Sequence, residues 1–138
     1  MADISLTSVN IAALQPNGAV VRGYTAGSEL TVGYLVFIGT DGYIDHADGD
    51  VDAATARAIG VVVESFDGET TVDSGNRASV CVFGPVSGFS GMTPGANLYV
   101  SDTVGRIADA AGTYSRIIGY AESAGVLFVH PEQNDPAS

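Results

Sequence analysis

The stretch Gly33-Tyr34-Leu35-Val36-Phe37-Ile38-Gly39 is an apolar run of strand length with glycine at both ends. Similar runs follow at Ile59-Gly60-Val61-Val62-Val63, Ala78-Ser79-Val80-Cys81-Val82-Phe83, Asn97-Leu98-Tyr99-Val100-Ser101 and Gly125-Val126-Leu127-Phe128-Val129. Runs this short, rich in β-branched and aromatic residues, read as strands. Asn17-Gly18, Asp41-Gly42, Asp67-Gly68, Ser74-Gly75 and Pro94-Gly95 mark turns, at a spacing that suits short antiparallel strands and not βαβ units. The 18 glycines agree with this reading. Only residues 52–58 have helical propensity, enough for one or two turns within a loop.

The first run belongs to a longer block that recurs. Leu30-Thr31-Val32-Gly33-Tyr34-Leu35-Val36-Phe37-Ile38, Asp41-Gly42-Tyr43-Ile44-Asp45-His46-Ala47-Asp48 and Ala56-Arg57-Ala58-Ile59-Gly60-Val61 return later in the same order. Their echoes are Met92-Thr93-Pro94-Gly95-Ala96-Asn97-Leu98-Tyr99-Val100, Val104-Gly105-Arg106-Ile107-Ala108-Asp109-Ala110 and Ser115-Arg116-Ile117-Ile118-Gly119-Tyr120. Each copy reads as turn, strand, acidic turn, short strand, loop, and a strand entered through Arg-x-Ile-Gly. Two copies are too few for a solenoid, and either half alone would leave an apolar sheet face in water. The expected fold is all-β, an antiparallel β-barrel or jelly-roll-like sandwich built from two pseudo-repeated halves. The glycine-rich stretch 83–91 reads as the connector between halves. Residues 16–130 form the expected domain and residues 131–138 a frayed polar tail; residues 1–15, with apolar Ile4, Leu6, Val9 and Ile11, read as an ordinary first strand or as an extended N-terminal arm, and the arm is the working expectation.

Size and charge narrow the function classes. The 138 residues suit one domain, and about two thirds of the unfolded surface of such a chain is buried on folding. With 46% hydrophobic residues and a mean hydropathy of +0.25, the chain is too apolar for disorder. Sixteen acidic residues against 5 basic ones leave a net charge of −11. There is no lysine, and Arg22, Arg57, Arg77, Arg106 and Arg116 are scattered singly. That pattern argues against nucleic acid and against anionic membranes as partners, and for a partner with a basic patch. The first residues lack the basic and apolar regions of a signal peptide, and no segment approaches the ~20 apolar residues of a membrane helix. The chain is thus expected in a cytoplasm, or in something assembled there.

The residue types that carry chemistry form no recognisable constellation. The loop Asp45-His46-Ala47-Asp48-Gly49-Asp50-Val51-Asp52 is the candidate for Ca²⁺. Counting Asp48, Asp50 and Asp52 as loop positions one, three and five puts Ala53 where a glycine is required and Ile59 where a bidentate Glu is required. A solvated turn is the better reading, and no metal or cofactor site is expected. His46 and His130 are the two histidines; His130 and Glu132 read as a surface pair at a strand end. Cys81 lies in an apolar run and reads as a buried, inert thiol. There is no Gly-x-Ser-x-Gly, His-Glu-x-x-His, Cys-x-x-Cys or phosphate-loop motif. A non-enzymatic protein is expected.

Over residues 27–129 the chain resembles the small β-rich capsid decoration, or cement, proteins of tailed bacteriophages. The resemblance rests on Ala26-Gly27-Ser28-Glu29-Leu30-Thr31-Val32-Gly33 leading into a strand and Asp-Gly turn, and on Ala58-Ile59-Gly60-Val61. Thr93-Pro94-Gly95-Ala96-Asn97-Leu98-Tyr99-Val100-Ser101 and Ile118-Gly119-Tyr120-Ala121 repeat the pattern. It implies a virion structural protein, made in the host bacterial cytoplasm, that binds the outer surface of the head. There it would bridge neighbouring major capsid subunits against internal DNA pressure through many weak contacts. Self-association as a dimer or trimer fits a position between subunits. The candidate contact residues are Ile4, Leu6, Val9 and Ile11, an arm able to augment a sheet edge, with Arg22 and Arg57. The rival readings are a phage fibre or tail-appendage module and a carbohydrate-binding β-sandwich.

Overall fold

A computed structural model describes residues 2–132. In chain order the strands are β1 (Ser5–Leu6), β2 (Ala12–Ala13), β3 (Val20–Thr25), β4 (Leu30–Thr31), β5 (Leu35–Ile38), β6 (Ile44–His46) and β7 (Gly60–Ser65). They continue as β8 (Thr71–Val72), β9 (Arg77–Ser87), β10 (Phe89–Ser90), β11 (Asn97–Val100), β12 (Ile107–Ala108), β13 (Ile117–Ala121) and β14 (Val126–Val129). The strand ladders are antiparallel, and the fold is all-β as expected. Among the described residues the helical pieces are 3-10 turns at Ser8–Asn10 and Gln15–Asn17, and no helix is long and apolar enough to cross a membrane. Residues 52–58 make a single turn, closed by Ala56 N–H to the Asp52 carbonyl at 3.1 Å.

The sequence repeat is a repeat of structure. The main sheet runs β12-β11-β13-β14-β9-β7-β5-β6. Read outward from its middle, each arm has a closing strand, a return strand and a hairpin in the same order: β9, β7, β5, β6 on one side and β14, β13, β11, β12 on the other. The Arg-x-Ile-Gly signature has a steric cause. A Cβ at Gly60 would lie 2.1 Å from the Cys81 carbonyl oxygen, and one at Gly119 would lie 2.0 Å from that of Phe128. Glycine lets β7 approach β9, and β13 approach β14, at these equivalent points.

β9 is shared by both halves. Its first part pairs with β3 and β7; beyond Gly84, at φ 112°, it pairs with β14 and β2. The expectation of a connector at 83–91 is therefore corrected: through Ser87 this stretch is strand. Gly84 and Gly88 serve close approach, since a Cβ at Gly84 would sit 2.5 Å from Ala19 Cα and one at Gly88 2.7 Å from Ile11 Cα.

The N-terminal segment is likewise not an extended arm. Asp3 bridges Ala108, Ile4 N–H donates to the Ile107 carbonyl at 2.8 Å, β1 pairs with β10, and β2 pairs with β9. Ile4 and Ile11 are 5% and 7% exposed within a continuous core that reaches Val129, and Leu6 packs against it. Only Val9, at 74%, points to water. The physical reason is that β12 would otherwise be a bare edge, and each buried isoleucine adds about 1.5–3 kcal/mol. In the first half the bridge between Ala26 and Ile44 does the same work, drawing β6 back toward the end of β3. Of the expected tail, Glu132 is held by its N–H donating to the Ile117 carbonyl at 2.9 Å; residues 133–138 lie outside the described residues.

Two substitution sets check this packing in urea unfolding. Ile11→Ala should lower the unfolding free energy by about 2–5 kcal/mol while Val9→Ala stays within about 0.5 kcal/mol; small effects at both would restore the free arm. Gly60→Ala and Gly119→Ala should each cost about 3 kcal/mol, because the methyl group meets backbone that cannot rotate away.

Candidate functional site

The ladder between β9 and β7 ends at Cys81, and the ladder between β9 and β14 begins at Gly84. Val82 and Phe83 fall in the gap, and a groove of about 290 Å³ opens there. β3 contributes Arg22 and Tyr24 to it, the residue before β7 contributes Ile59, and the chain leaving β14 contributes His130 and Pro131. The Arg22 side chain is exposed and makes no hydrogen bond or ion pair among the described residues.

An aromatic ribbon runs from the groove across three strands. The Phe83 ring meets Phe128 edge-on at 5.1 Å and His130 at 5.4 Å, and Phe128 stacks on Tyr120 at 5.1 Å. Phe83 is 43% exposed and Tyr120 41%. Such ring pairs add about 0.5–1.5 kcal/mol beyond area burial, so the ribbon is ordered while still presenting apolar surface.

A second hollow of about 330 Å³ shares Ile59 and is lined by Ile38, Gly39, Thr40, Ala54 and Arg57. Arg116 is fully buried and donates to the Glu132 carbonyl. Burial pulls its guanidinium below the ordinary arginine value; Glu132 opposes this and the nearby Arg57 charge adds to it. Arg57 and Arg116, far apart in the chain, are thus near enough in space for their charges to interact. Arg106 is engaged elsewhere, donating to the Ile4 carbonyl at 2.6 Å and lying 5.6 Å above the Tyr34 ring centroid.

Of the residues singled out in the sequence, Arg22 and Arg57 occupy adjoining hollows. Ile4 and Ile11 are core, Leu6 is half-buried, and Val9 lines a separate hollow with Glu64 and Glu69 whose wall Ile11 also reaches. The acidic loop is a network of turns. Asp48 accepts the Asp50 N–H at 2.9 Å, Asp45 the Ser28 hydroxyl at 2.7 Å, and Asp50 the Thr113 hydroxyl at 3.1 Å. Asp52 accepts the Thr55 N–H at 2.7 Å, and the Thr55 backbone and hydroxyl hold its carboxyl below the usual range. Among the described residues, no three His, Cys, Asp or Glu side chains converge on a cation site.

The expected pair of His130 and Glu132 is not formed. His130 turns to Phe83, while Glu132 Oε2 accepts the Ile117 N–H at 2.9 Å. Cys81 is buried, with Sγ directed at the carbonyls of Phe83 and Gly84, and burial pushes its thiol up. His46 Nε2 accepts the Thr31 N–H at 3.0 Å and its ring lies 5.0 Å from Tyr34. The groove and ribbon went unread in the sequence, because Phe83, Tyr120 and Phe128 become neighbours only through strand register.

No protein-family model and no curated protein matches the chain.

The His46 geometry sets a pH dependence. Burial lowers its pKa from 6.5, with Asp45 and Glu29 opposing, so the unfolded chain binds the proton more tightly. Stability is then full above about pH 6.5 and is lost as pH falls through the folded-state value. Between about pH 7.5 and pH 5 the urea midpoint should drop more for wild type than for His46→Gln, in which the side-chain amide oxygen still accepts the Thr31 N–H. Equal slopes would remove His46 as the cause.

Proposed function

We propose that this chain is a non-enzymatic virion structural protein that binds the outer surface of a tailed-phage head and cements neighbouring major capsid subunits. The observation that carries the reading is the duplicated unit. The segments that resemble decoration proteins are the segments that build the two matched arms of the sheet, so the resemblance extends over the scaffold and not over one loop.

The surface supports the same reading. Aspartates of the acidic turns order their loops through local hydrogen bonds, and the exposed ribbon presents apolar surface for contact. A chain of net charge −11 with an exposed aromatic ribbon is suited to a shell whose rim offers basic residues around an apolar spot. Individually weak contacts of this kind hold when repeated over a lattice. In this reading the protein sits on the capsid exterior after synthesis in the host cytoplasm. The exposed ribbon of Phe83 and Tyr120 also favours a second reading, sugar contact by a carbohydrate-binding module.

The test is co-sedimentation of the purified chain with DNA-free expanded heads of a tailed phage, with unexpanded proheads as control and a salt titration on each. Saturable, salt-weakened binding to expanded heads at a fixed copy number per capsomer is the expected result. Binding to neither shell, together with glycan-array signal lost in Phe83→Ala, would replace cementing with sugar binding.

A further inference from the structure

We propose that the groove of Arg22 is a self-association site, and that its occupant is the acidic turn at residues 48–52 of a second copy of this chain. This goes beyond the capsid reading and does not depend on it.

The groove has an apolar floor of Ile59 and Val82, an exposed ring at Phe83, and a cation at Arg22 that no described residue engages. Ile38, 46% exposed, extends the apolar surface into the adjoining hollow beside Arg57.

The turn has the complementary form. Val51 is 58% exposed and sits between Asp50 and Asp52, an apolar tip flanked by two carboxylates. It is also held in place. Gly49 N–H donates to the Ser101 carbonyl at 2.9 Å, Tyr114 N–H donates to the Gly49 carbonyl at 2.8 Å, Asp48 accepts the Asp50 N–H within the turn, and Asp52 accepts that of Thr55 just beyond it. A tip already ordered loses little conformational entropy on docking.

Seating Val51 on Ile59 and Val82 brings the flanking carboxylates to Arg22 of the other copy, a charge-assisted contact. Ala54, close behind Val51 in the chain, already lines the adjoining hollow. Tip and groove therefore lie near one another, and two copies exchange tips reciprocally about a twofold axis. The net charge of −11 opposes association at long range, but that repulsion is screened beyond about 8 Å at physiological salt, whereas the opposed charges meet at contact.

The experiment is sedimentation velocity on the full chain from about 10 µM to about 1 mM, the range of a weak interface, in about 0.15 M salt. The sedimentation coefficient should rise with concentration. Arg22→Glu and Asp50→Arg should each weaken association about tenfold or more, and an equimolar mixture of the two should regain it, because each altered surface then meets its complement. Val51→Ser should weaken it as well, while Val9→Ser, at an exposed apolar site elsewhere, should not. A wild-type chain monomeric throughout overturns the proposal; in that case the groove serves another molecule. So does a mixture no better than its parts, or equal weakening by Val9→Ser.

Discussion

Strand β9 is the element on which both halves of the molecule depend, and Gly84 is where it passes from one to the other. A residue with a side chain could neither adopt φ 112° cheaply nor admit the Ala19 backbone beside it. Because β9 continues unbroken through this point, β7 and β14 hang from a single strand, and the two repeats become arms of one sheet instead of separate sheets. The continuous core from Ile4 to Val129 follows from that connection.

Each half then meets the problem of any open sheet, an edge with unpaired backbone groups. The first half brings β6 back to Ala26; the second takes the N-terminal segment, whose Asp3 and Ile4 pair with β12. Residues that alternate apolar and polar like a free strand are in this way used by the chain itself. Arg106, reaching from beside β12 to the Ile4 carbonyl, ties the closure down.

The groove is a consequence of the same seam. Where the ladder to β7 stops and the ladder to β14 starts, the sheet cannot pair both neighbours at Val82 and Phe83, so side chains from several strands line an opening instead. Elsewhere several polar residues hold the fold: Asp48 and Asp52 accept backbone N–H groups, His46 accepts that of Thr31, and Glu132 accepts at the start of β13. What the seam offers an outside partner is a shape with an arginine, aromatic rings and an apolar floor, which suits binding.

By itself the sequence determined the strand class, the turns and the duplication, because these rest on short-range spacing: apolar runs of strand length, Asp-Gly and Asn-Gly pairs, and a motif returning in order. It also marked Cys81 as core, from its apolar neighbours alone. Only the tertiary structure decided that Ile4 and Ile11 are core and not a free arm, since an alternating segment reads the same whether it pairs with its own edge or another's. Only register brought Phe83, Phe128 and Tyr120 together and set Arg22 beside Ile59, near Arg57. Those contacts join residues far apart in the chain, and no local pattern encodes which strand lies beside which.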